Sequence, residues 1–560
     1  MSNLPMYEML ARAFASEGVD TVFNLMGDGN MHWATAMSKI DGVQMIHARH
    51  EHCACAMAMG YHCATGKTGV ASVTCGPGVT QISTALATAT RANVPLVVFA
   101  GESPINARFY NQAIDQGPIV HATGAHYVRA HSVTRMLDHV REAFYVARYE
   151  RRPVVLGVPY DLQKLPFAGP PDYEASAAYI PQTGRTPPDP QSVARLVEKL
   201  AAAQRPIILA GRGAVASGAH AAIEELADAS GALLATTLPA RGMFDHNPFS
   251  IGVAGGFASD VARELFGQAD FVVAVGASLT YYTVDGGALF PKACVAQIDE
   301  RPRGLKDGLR AGDLFVKADA KAGSEAVARE LRAHISDAGP TKSNIRSPAL
   351  AERIAKTPPD SAEFSIAPGT FDPRHVVAAL DRVIPKDWEM VSGAGHSAYF
   401  QTHMRGRKPE QFHVLREFGA IGNSISIAIG VAAAKRNGKV VLLEGDGSLI
   451  MHIQELETIK RHGLRLLICV LNDGAYGAEI HKLRQDGLDE SGAVFGRTDF
   501  GSIARGFGLR GATIADLGQL AALMQSHDAQ DTAEIWNIPI SDQVMSPSMR
   551  RLKAKGHGVM

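Results

Sequence analysis

The stretch that decides the reading of this chain is EGDGSLIMHIQELETIKRHGLRLLICVLNDGAYGAE, Glu444 to Glu479. An apolar run, Val440 to Leu443, leads into Gly445-Asp446-Gly447, and a second, Leu466 to Leu471, leads into Asn472-Asp473-Gly474. Between them Ile453, Leu456 and Ile459 recur at helical spacing. The pattern is strand, turn, helix, strand, turn. Both turns then fall at the carboxyl ends of neighbouring parallel strands, where open α/β sheets bind ligands. Asp446 and Asp473 are thereby brought to one sheet edge. Two carboxylates and a nearby backbone carbonyl suit Mg²⁺, which typically also takes phosphate oxygens. Gly445 and Gly447 let the backbone approach a phosphate, and the following helix offers free N–H groups to an anion. Either turn alone reads as an ordinary tight loop. Together they predict a diphosphate held through Mg²⁺.

This segment resembles the diphosphate motif of thiamine diphosphate (ThDP) enzymes: a GDG, a spacer, then a pair of Asn/Asp residues. The resemblance implies that Mg²⁺ is held by Asp446, Asp473 and the carbonyl of Ala475, with Tyr476 and Gly477 beside it. The family more often has Asn where this chain has Asp473, which still supplies an oxygen. Gly395-His396-Ser397-Ala398 resembles the other diphosphate loop of the family, with Ser448 supporting it from the GDG side. Gly419-Ala420-Ile421-Gly422 resembles the segment in which a Gly carbonyl accepts the cofactor's 4′-amino group and a bulky apolar side chain bends the cofactor. Those positions are Gly419 and Ile421. Without the flanking glycines, Ile421 reads as an ordinary core residue.

Upstream, RHEHCACAMAMGYHCATGKTGVASVTCGPGVTQ follows a short β-like run, Val43 to His47, and opens an Ala/Met-rich helix expected to end near Gly60. By itself Glu51 at a helix start suits the helix dipole and needs no further role. The segment closely resembles the pyrimidine-domain signature of the acetolactate synthase and pyruvate decarboxylase group. That implies that Glu51 contacts the pyrimidine N1′ and drives the tautomerism by which the cofactor activates its own thiazolium carbon. Burial would raise the pKa of such a carboxylate and let it share a proton. Asp28, in Gly27-Asp28-Gly29, falls on a catalytic Asp of the decarboxylases, and Glu479 on their proton-transferring Glu. The residue-level alternatives are a turn residue for Asp28 and a solvated helix residue paired with Lys482 for Glu479. Gln112 resembles a Gln that reaches the active site in acetolactate synthase and benzaldehyde lyase.

At 560 residues the chain has room for about three domains. Its 46% apolar and 20% charged content fits a well-buried globular protein, and a net charge of −1 does not favour nucleic acid. The N-terminus lacks a signal-peptide pattern and no run is apolar enough to span a membrane, which predicts a cytoplasmic protein with no membrane partner. The six cysteines read as small buried hydrophobes; Cys53, Cys55, His62 and Cys63 lie close in sequence but match no zinc spacing.

Pro-rich stretches at Leu165–Pro190 and His334–Pro373 read as linkers. They give a pyrimidine-binding domain over 1–165, a middle domain over 190–335, a diphosphate-binding domain over 365–540 and a basic tail over 541–560. Alternating β-like runs and amphipathic helices predict three doubly wound α/β domains with parallel sheets. The Gly211-Arg212-Gly213 turn, and Gln297-Ile298-Asp299 after another strand, suggest a nucleotide-binding-like middle domain. In relatives of this branch it holds FAD, ADP or nothing; a lone GxG is a weak signal. The domain order resembles the decarboxylase/carboligase branch, which implies a homodimer at least, commonly a homotetramer, with each cofactor between subunits.

The implied activity is cleavage or formation of a C–C bond next to a carbonyl of a 2-oxo acid or acyloin, through a C2 carbanion and an enamine. One alternative is 2-hydroxyacyl-CoA lyase or oxalyl-CoA decarboxylase chemistry. In it, the basic tail Met549 to His557 closes over a CoA thioester, and Arg405, Arg407 and Lys408 form a second basic cluster. The plainer reading of the tail is a solvated, partly disordered end. A second alternative is a non-catalytic ThDP-fold scaffold, against which Glu51 and the two Asp residues argue.

Overall fold

The computed structural model describes residues 4–167, 172–302 and 312–554, with side chains as far as Arg551. Among the described residues, three six-stranded sheets follow one another along the chain. The first holds β1 (Thr21–Asn24), β2 (Gln44–His47), β3 (Gly69–Val73), β4 (Leu96–Glu102), β5 (His126–Arg129) and β6 (Pro153–Pro159), in the order β2-β1-β3-β4-β6-β5. The second holds β7 (Pro206–Ala210), β8 (Leu233–Thr236), β9 (Ser250–Val253), β10 (Phe271–Val275), β11 (Cys294–Asp299) and β12 (Leu314–Lys317), in the order β12-β11-β10-β7-β8-β9. The third holds β13 (Glu389–Ser392), β14 (Phe412–His413), β15 (Val440–Gly445), β16 (Leu467–Asn472), β17 (Arg510–Thr513) and β18 (Glu534–Pro539), in the order β14-β13-β15-β16-β18-β17.

Every ladder between these strands is parallel. The central strands are buried along their length, β4, β7 and β10 from end to end. That is why they read as unbroken apolar runs rather than alternating ones. This is the doubly wound architecture expected from the sequence. No helix among the described residues is long and apolar enough to cross a membrane.

The first and third domains dock through two helices, Glu51–Thr65 and Ser424–Lys435. Both are apolar nearly all round and share one core, so neither has a solvent face to signal by periodicity. They meet backbone to backbone at glycines. A Cβ on Gly60 would lie 2.2 Å from the Ile427 carbonyl oxygen, and one on Gly430 1.9 Å from that of Met57. Gly60 is therefore a crossing point and not the helix end the sequence suggested. The helix runs on to Thr65 and stops at Gly66, whose φ of 73° places it in the left-handed region. Gly430→Ala is expected to lower the unfolding midpoint, at a cost of about 1–3 kcal/mol or more for the overpacked crossing. An unchanged midpoint in a thermal melt would contradict this contact.

Three other expectations are corrected. The second linker region is not bare loop: the helix Ala320–Ala338 ends within it, and Pro348–Lys356 forms a further helix. The first is strapped to its domain, because buried Glu17 accepts from Tyr173 Oη at 2.6 Å and from the Ser176 N–H at 2.8 Å. Gln297-Ile298-Asp299 lies inside β11 rather than after it.

Candidate active site

The two turns of the opening stretch do converge. β15 and β16 are adjacent, and Gly445 pairs with Leu471 in the ladder. Asp446 starts a short helix, Asp446–Leu449, instead of sitting in a free turn. Its Oδ2 accepts from the Gly474 N–H at 2.8 Å, so one turn is tied to the other. Asp473 Oδ1 accepts from the Ala475 N–H at 3.3 Å. The two carboxyl groups lie close enough to act on each other. Burial raises Asp446 above the ordinary carboxylate range. Burial, and then the charge of Asp446, push Asp473 well above it. The carbonyls flanking that of Ala475 are occupied: Gly474 O accepts from the Phe495 and Gly496 N–H groups, and Tyr476 O from Glu479 and Ile480. At Gly477 a Cβ would lie 2.5 Å from Asp473 Oδ2 and would displace that carboxyl group.

The facing loop, Gly395-His396-Ser397, leads into the helix Ser397–Gln401. Gly395 has a φ of 91°, with open space where a Cβ would be. His396 packs against His481, and burial, then the neighbouring His481, lower its pKa well below the ordinary imidazole value, so the ring is neutral. Its Nε2 accepts from the Ser546 N–H at 3.0 Å, so it is the acceptor tautomer at that atom.

Gly419 to Gly422 forms a third loop, with Gly419 exposed and Ile421 half-buried. Both backbone groups of Gly422 are held. Its N–H donates to Ser448 Oγ at 2.7 Å, and its carbonyl accepts from His452 Nδ1 at 2.9 Å. Ser448 Oγ in turn donates to Glu444, a wholly buried carboxyl that burial pushes up to about 7. Ser448 and Glu444 thus tie the Gly419–Gly422 loop to the Asp446 turn.

In the first domain, Glu51 is the first residue of its helix and is half-buried. Asp28 is exposed, and its charge acts on both Cys75 and Tyr110. Gln112 Oε1 accepts from the Cys75 thiol at 3.1 Å and from Thr74 and Tyr110 at 3.4 Å. Asp28, Cys75, Tyr110 and Gln112 therefore form one group, although they come from three segments. Gly76 makes this possible: its φ is 57°, and a Cβ there would lie 2.2 Å from the Gln112 carbonyl. Burial raises the Cys75 thiol and the Tyr110 phenol, so both are protonated donors at neutral pH.

Three family models match the chain. "Thiamine pyrophosphate enzyme, N-terminal TPP binding domain" covers residues 5–119, the central domain covers 193–329, and the C-terminal TPP binding domain covers 393–532. This chain belongs to the thiamine pyrophosphate enzyme family. It is 29% identical over 537 residues to an acetolactate synthase large subunit of Parasynechococcus marenigrum, covering 92% of this chain and 85% of that protein. It is 28% identical to the acetolactate synthase isozyme 3 large subunit of Escherichia coli, covering 84% and 82%. In fold it resembles the Rhodococcus jostii thiamine diphosphate-dependent 4-hydroxybenzoylformate decarboxylase, with a TM-score of 0.78, 22% identity, and 96% and 99% of the two chains covered.

In this thiamine pyrophosphate enzyme, Glu479 is exposed and its carboxylate lies 3.8 Å from Lys482 Nζ. The GRG turn of the central domain is taken up by packing, since Gly213 N–H donates to Gly276 O at 2.9 Å and a Cβ on Gly211 would lie 2.4 Å from that oxygen. A cavity of about 310 Å³ opens where the central and C-terminal domains meet, lined by Arg241, Asp245 and His403 among others and away from the two turns.

The expectation of a solvated tail is overturned for its described part, a helix over Pro547–Ala554. Arg550 donates to buried Asp360 at 2.7 and 3.2 Å, and Arg551 to the Gly256 carbonyl at 2.7 Å. The tail's remaining charges, from Lys553 to His557, lie outside the described side chains. The Arg405–Lys408 run is not a continuous basic patch either, because Arg407 is buried and paired with Asp381 at 2.9 Å.

Sequence reasoning missed Cys75 and Tyr110 as site residues, and Glu444 and His452 as loop anchors. A Cys directly before Gly-Pro-Gly, and an acid directly before Gly-Asp-Gly, were the available signals.

Proposed function

We propose that this enzyme uses ThDP and Mg²⁺ to break or form a C–C bond beside the carbonyl of a 2-oxo acid or an acyloin. The observation that supports this best is the pair of carboxyl groups at the ends of β15 and β16, Asp446 buried and Asp473 half-buried. Two interacting, desolvated acids with no basic side chain paired to them among the described residues form an unfavourable arrangement that a divalent ion would relieve. Asp446, Asp473 and the carbonyl of Ala475 are the proposed ligands. Gly395, Ser397, Gly445, Gly447, Tyr476 and Gly477 would border the diphosphate, with His396 kept neutral beside it.

The bound cofactor would supply an acidic thiazolium carbon and an electron sink for charge developing beside a carbonyl. The protein's residues do the rest. Glu51 would hold a proton beside the pyrimidine ring, Gly419 would offer its carbonyl to the ring's amino group, and Ile421 would pack against the cofactor. The Asp28–Cys75–Tyr110–Gln112 group offers acid, thiol, phenol and amide to a substrate carbonyl or carboxylate, and Glu479 is the second proton-transfer candidate.

Exposed apolar side chains flank both halves of the site. Exposed Met26, Phe109 and Ile114 lie within two residues of Asp28, Tyr110 and Gln112 in sequence, exposed Met451 lies by Gly422, and exposed Phe495 lies by Gly447. Such patches support a second subunit as the covering surface. The proposed unit is at least a dimer, with Glu51 of one subunit facing the Asp446 turn of the other.

A CoA thioester reading would need Arg550 and Arg551 to leave their protein partners. We expect Arg550→Ala/Arg551→Ala to lower the unfolding midpoint by roughly a few degrees, leaving kcat/KM for free acids within about twofold. A selective loss of CoA-ester turnover in that variant would move the enzyme to the lyase branch. The GRG turn gives little support to a nucleotide in the central domain, since its Gly213 amide is already taken.

A further inference from the structure

The central domain carries a constellation that neither the cofactor nor the substrate uses. The helix His220–Ser230 places His220 and Glu224 one turn apart on the same face. His246, from the loop after β8, meets the same carboxylate from the other side. His220 Nε2 lies 3.3 Å from Glu224 Oε2, and His246 Nε2 lies 3.0 Å from Glu224 Oε1. All three ligand atoms lie within 4.8 Å of one another. A tetrahedral ion with metal–ligand distances of about 2.0–2.1 Å has edges of about 3.3 Å between ligand atoms. Each imidazole stands near that spacing from one oxygen of the shared carboxylate, and the wider 4.8 Å limit on the three atoms needs only a small closure.

The surroundings hold Glu224 and His220. Asn247 Nδ2 donates to Glu224 Oε1 at 3.0 Å and holds the carboxylate. The His220 ring packs edge-on against Phe244, a fully buried core residue, with centroids 5.5 Å apart. The His246 ring lies 5.3 Å from that of His220. Two imidazoles and one carboxylate, with a remaining position open to solvent, make a donor set suited to Zn²⁺ and its first-row neighbours rather than to Mg²⁺ or Ca²⁺.

We propose that His220, Glu224 and His246 bind one divalent transition-metal ion of the Zn²⁺ class. The ion would pin the loop after β8 to the helix His220–Ser230. That loop is also the one that docks the central domain on the third. Arg241 donates to the Gln401 carbonyl at 3.3 Å, Asp245 accepts from the Gly406 N–H at 2.7 Å, and a Cβ on Gly242 would lie 2.1 Å from the Arg407 carbonyl oxygen. The ion thus stiffens the contact between the two domains without touching the reacting groups. This inference does not rest on the proposed reaction.

The test is Zn²⁺ titration of chelator-stripped holoenzyme, reloaded with ThDP and excess Mg²⁺ so that the Asp446–Asp473 turn is occupied. Binding is followed by calorimetry and by the thermal midpoint. The wild type should take up one equivalent more than H220A/H246A, and the midpoint rise on adding Zn²⁺ should vanish in that variant. E224Q keeps a hydrogen-bond acceptor for Asn247 but loses the charge. Its Zn²⁺ affinity should fall by more than the about 10–100-fold that loss of a supporting group alone costs. Basal turnover should be unchanged in E224Q, which also guards against misfolding of the double variant. Equal Zn²⁺ uptake by all three proteins, or none by the wild type, would overturn the proposal. In that case the three side chains are only a pair of His–Glu ion pairs.

Discussion

Glu51→Gln is expected to lower kcat by about 10²–10⁴-fold, the usual contribution of one positioned general acid or base. ThDP and Mg²⁺ affinity should change far less, because the Glu51 side chain belongs to the first domain while the phosphate turns belong to the third. The amide has the size and the hydrogen-bonding reach of the acid but does not exchange a proton. Glu51 is the first residue of a helix whose interior is fixed by the Gly60 and Gly430 crossing, so the substitution should leave the fold intact. Single-turnover kinetics and ThDP titration separate the two effects. A variant that keeps more than about a tenth of the wild-type rate would remove Glu51 from the mechanism. It would also revive the reading of this chain as a scaffold.

The second large effect is expected at the carboxylate pair, and it has opposite signs in the apo and loaded protein. Burial and Asp446 hold Asp473 well above the ordinary carboxylate range. A carboxyl group whose pKa is raised by folding binds more protons in the native state. The apo protein therefore loses stability as pH rises from the unfolded value of that group towards the raised folded one. Asp473→Asn removes this burden and should raise the apo unfolding midpoint at neutral pH. The same change replaces a charged Mg²⁺ ligand by a neutral one. Asp446→Ala removes a ligand outright and should weaken Mg²⁺-dependent ThDP binding by more than about 100-fold, beyond what loss of a supporting residue costs. Thermal melts with and without ThDP/Mg²⁺ read both. If both variants gain as much from the cofactor as the wild type does, the pair is not the metal site.

The parts of this protein that were legible in its sequence are those in which function is carried by consecutive residues. Gly445-Asp446-Gly447 and Asn472-Asp473-Gly474 each end an apolar strand, and the short crossover between them dictates that they meet. The three sheets were legible for the same reason, since their central strands are buried on both faces and read as apolar runs. What was not legible depends on contacts between distant segments. Gln112 reaches Cys75 only because the backbone after β4 folds onto Gly76. Glu444 anchors the Gly422 loop through Ser448; its place before Gly-Asp-Gly marks the residue but not this partner. The tail was misread because charge runs look solvated until their partners are seen: Asp360, the partner of Arg550, lies in the supposed linker. Gly60 misled for a physical reason too. A glycine inside a helix can mark a stop or a close approach of another backbone, and only the position of Ile427 distinguishes them.

The most direct test of the central claim is CO₂ release and aldehyde or acyloin formation by ThDP/Mg²⁺-reconstituted protein. The panel would contain pyruvate, benzoylformate, branched 2-oxo acids, acyloins, and 2-hydroxyacyl-CoA and oxalyl-CoA esters. Turnover of at least one free 2-oxo acid or acyloin, abolished by chelating Mg²⁺, is the expected result. Turnover of CoA esters alone, or turnover indifferent to ThDP, would contradict it.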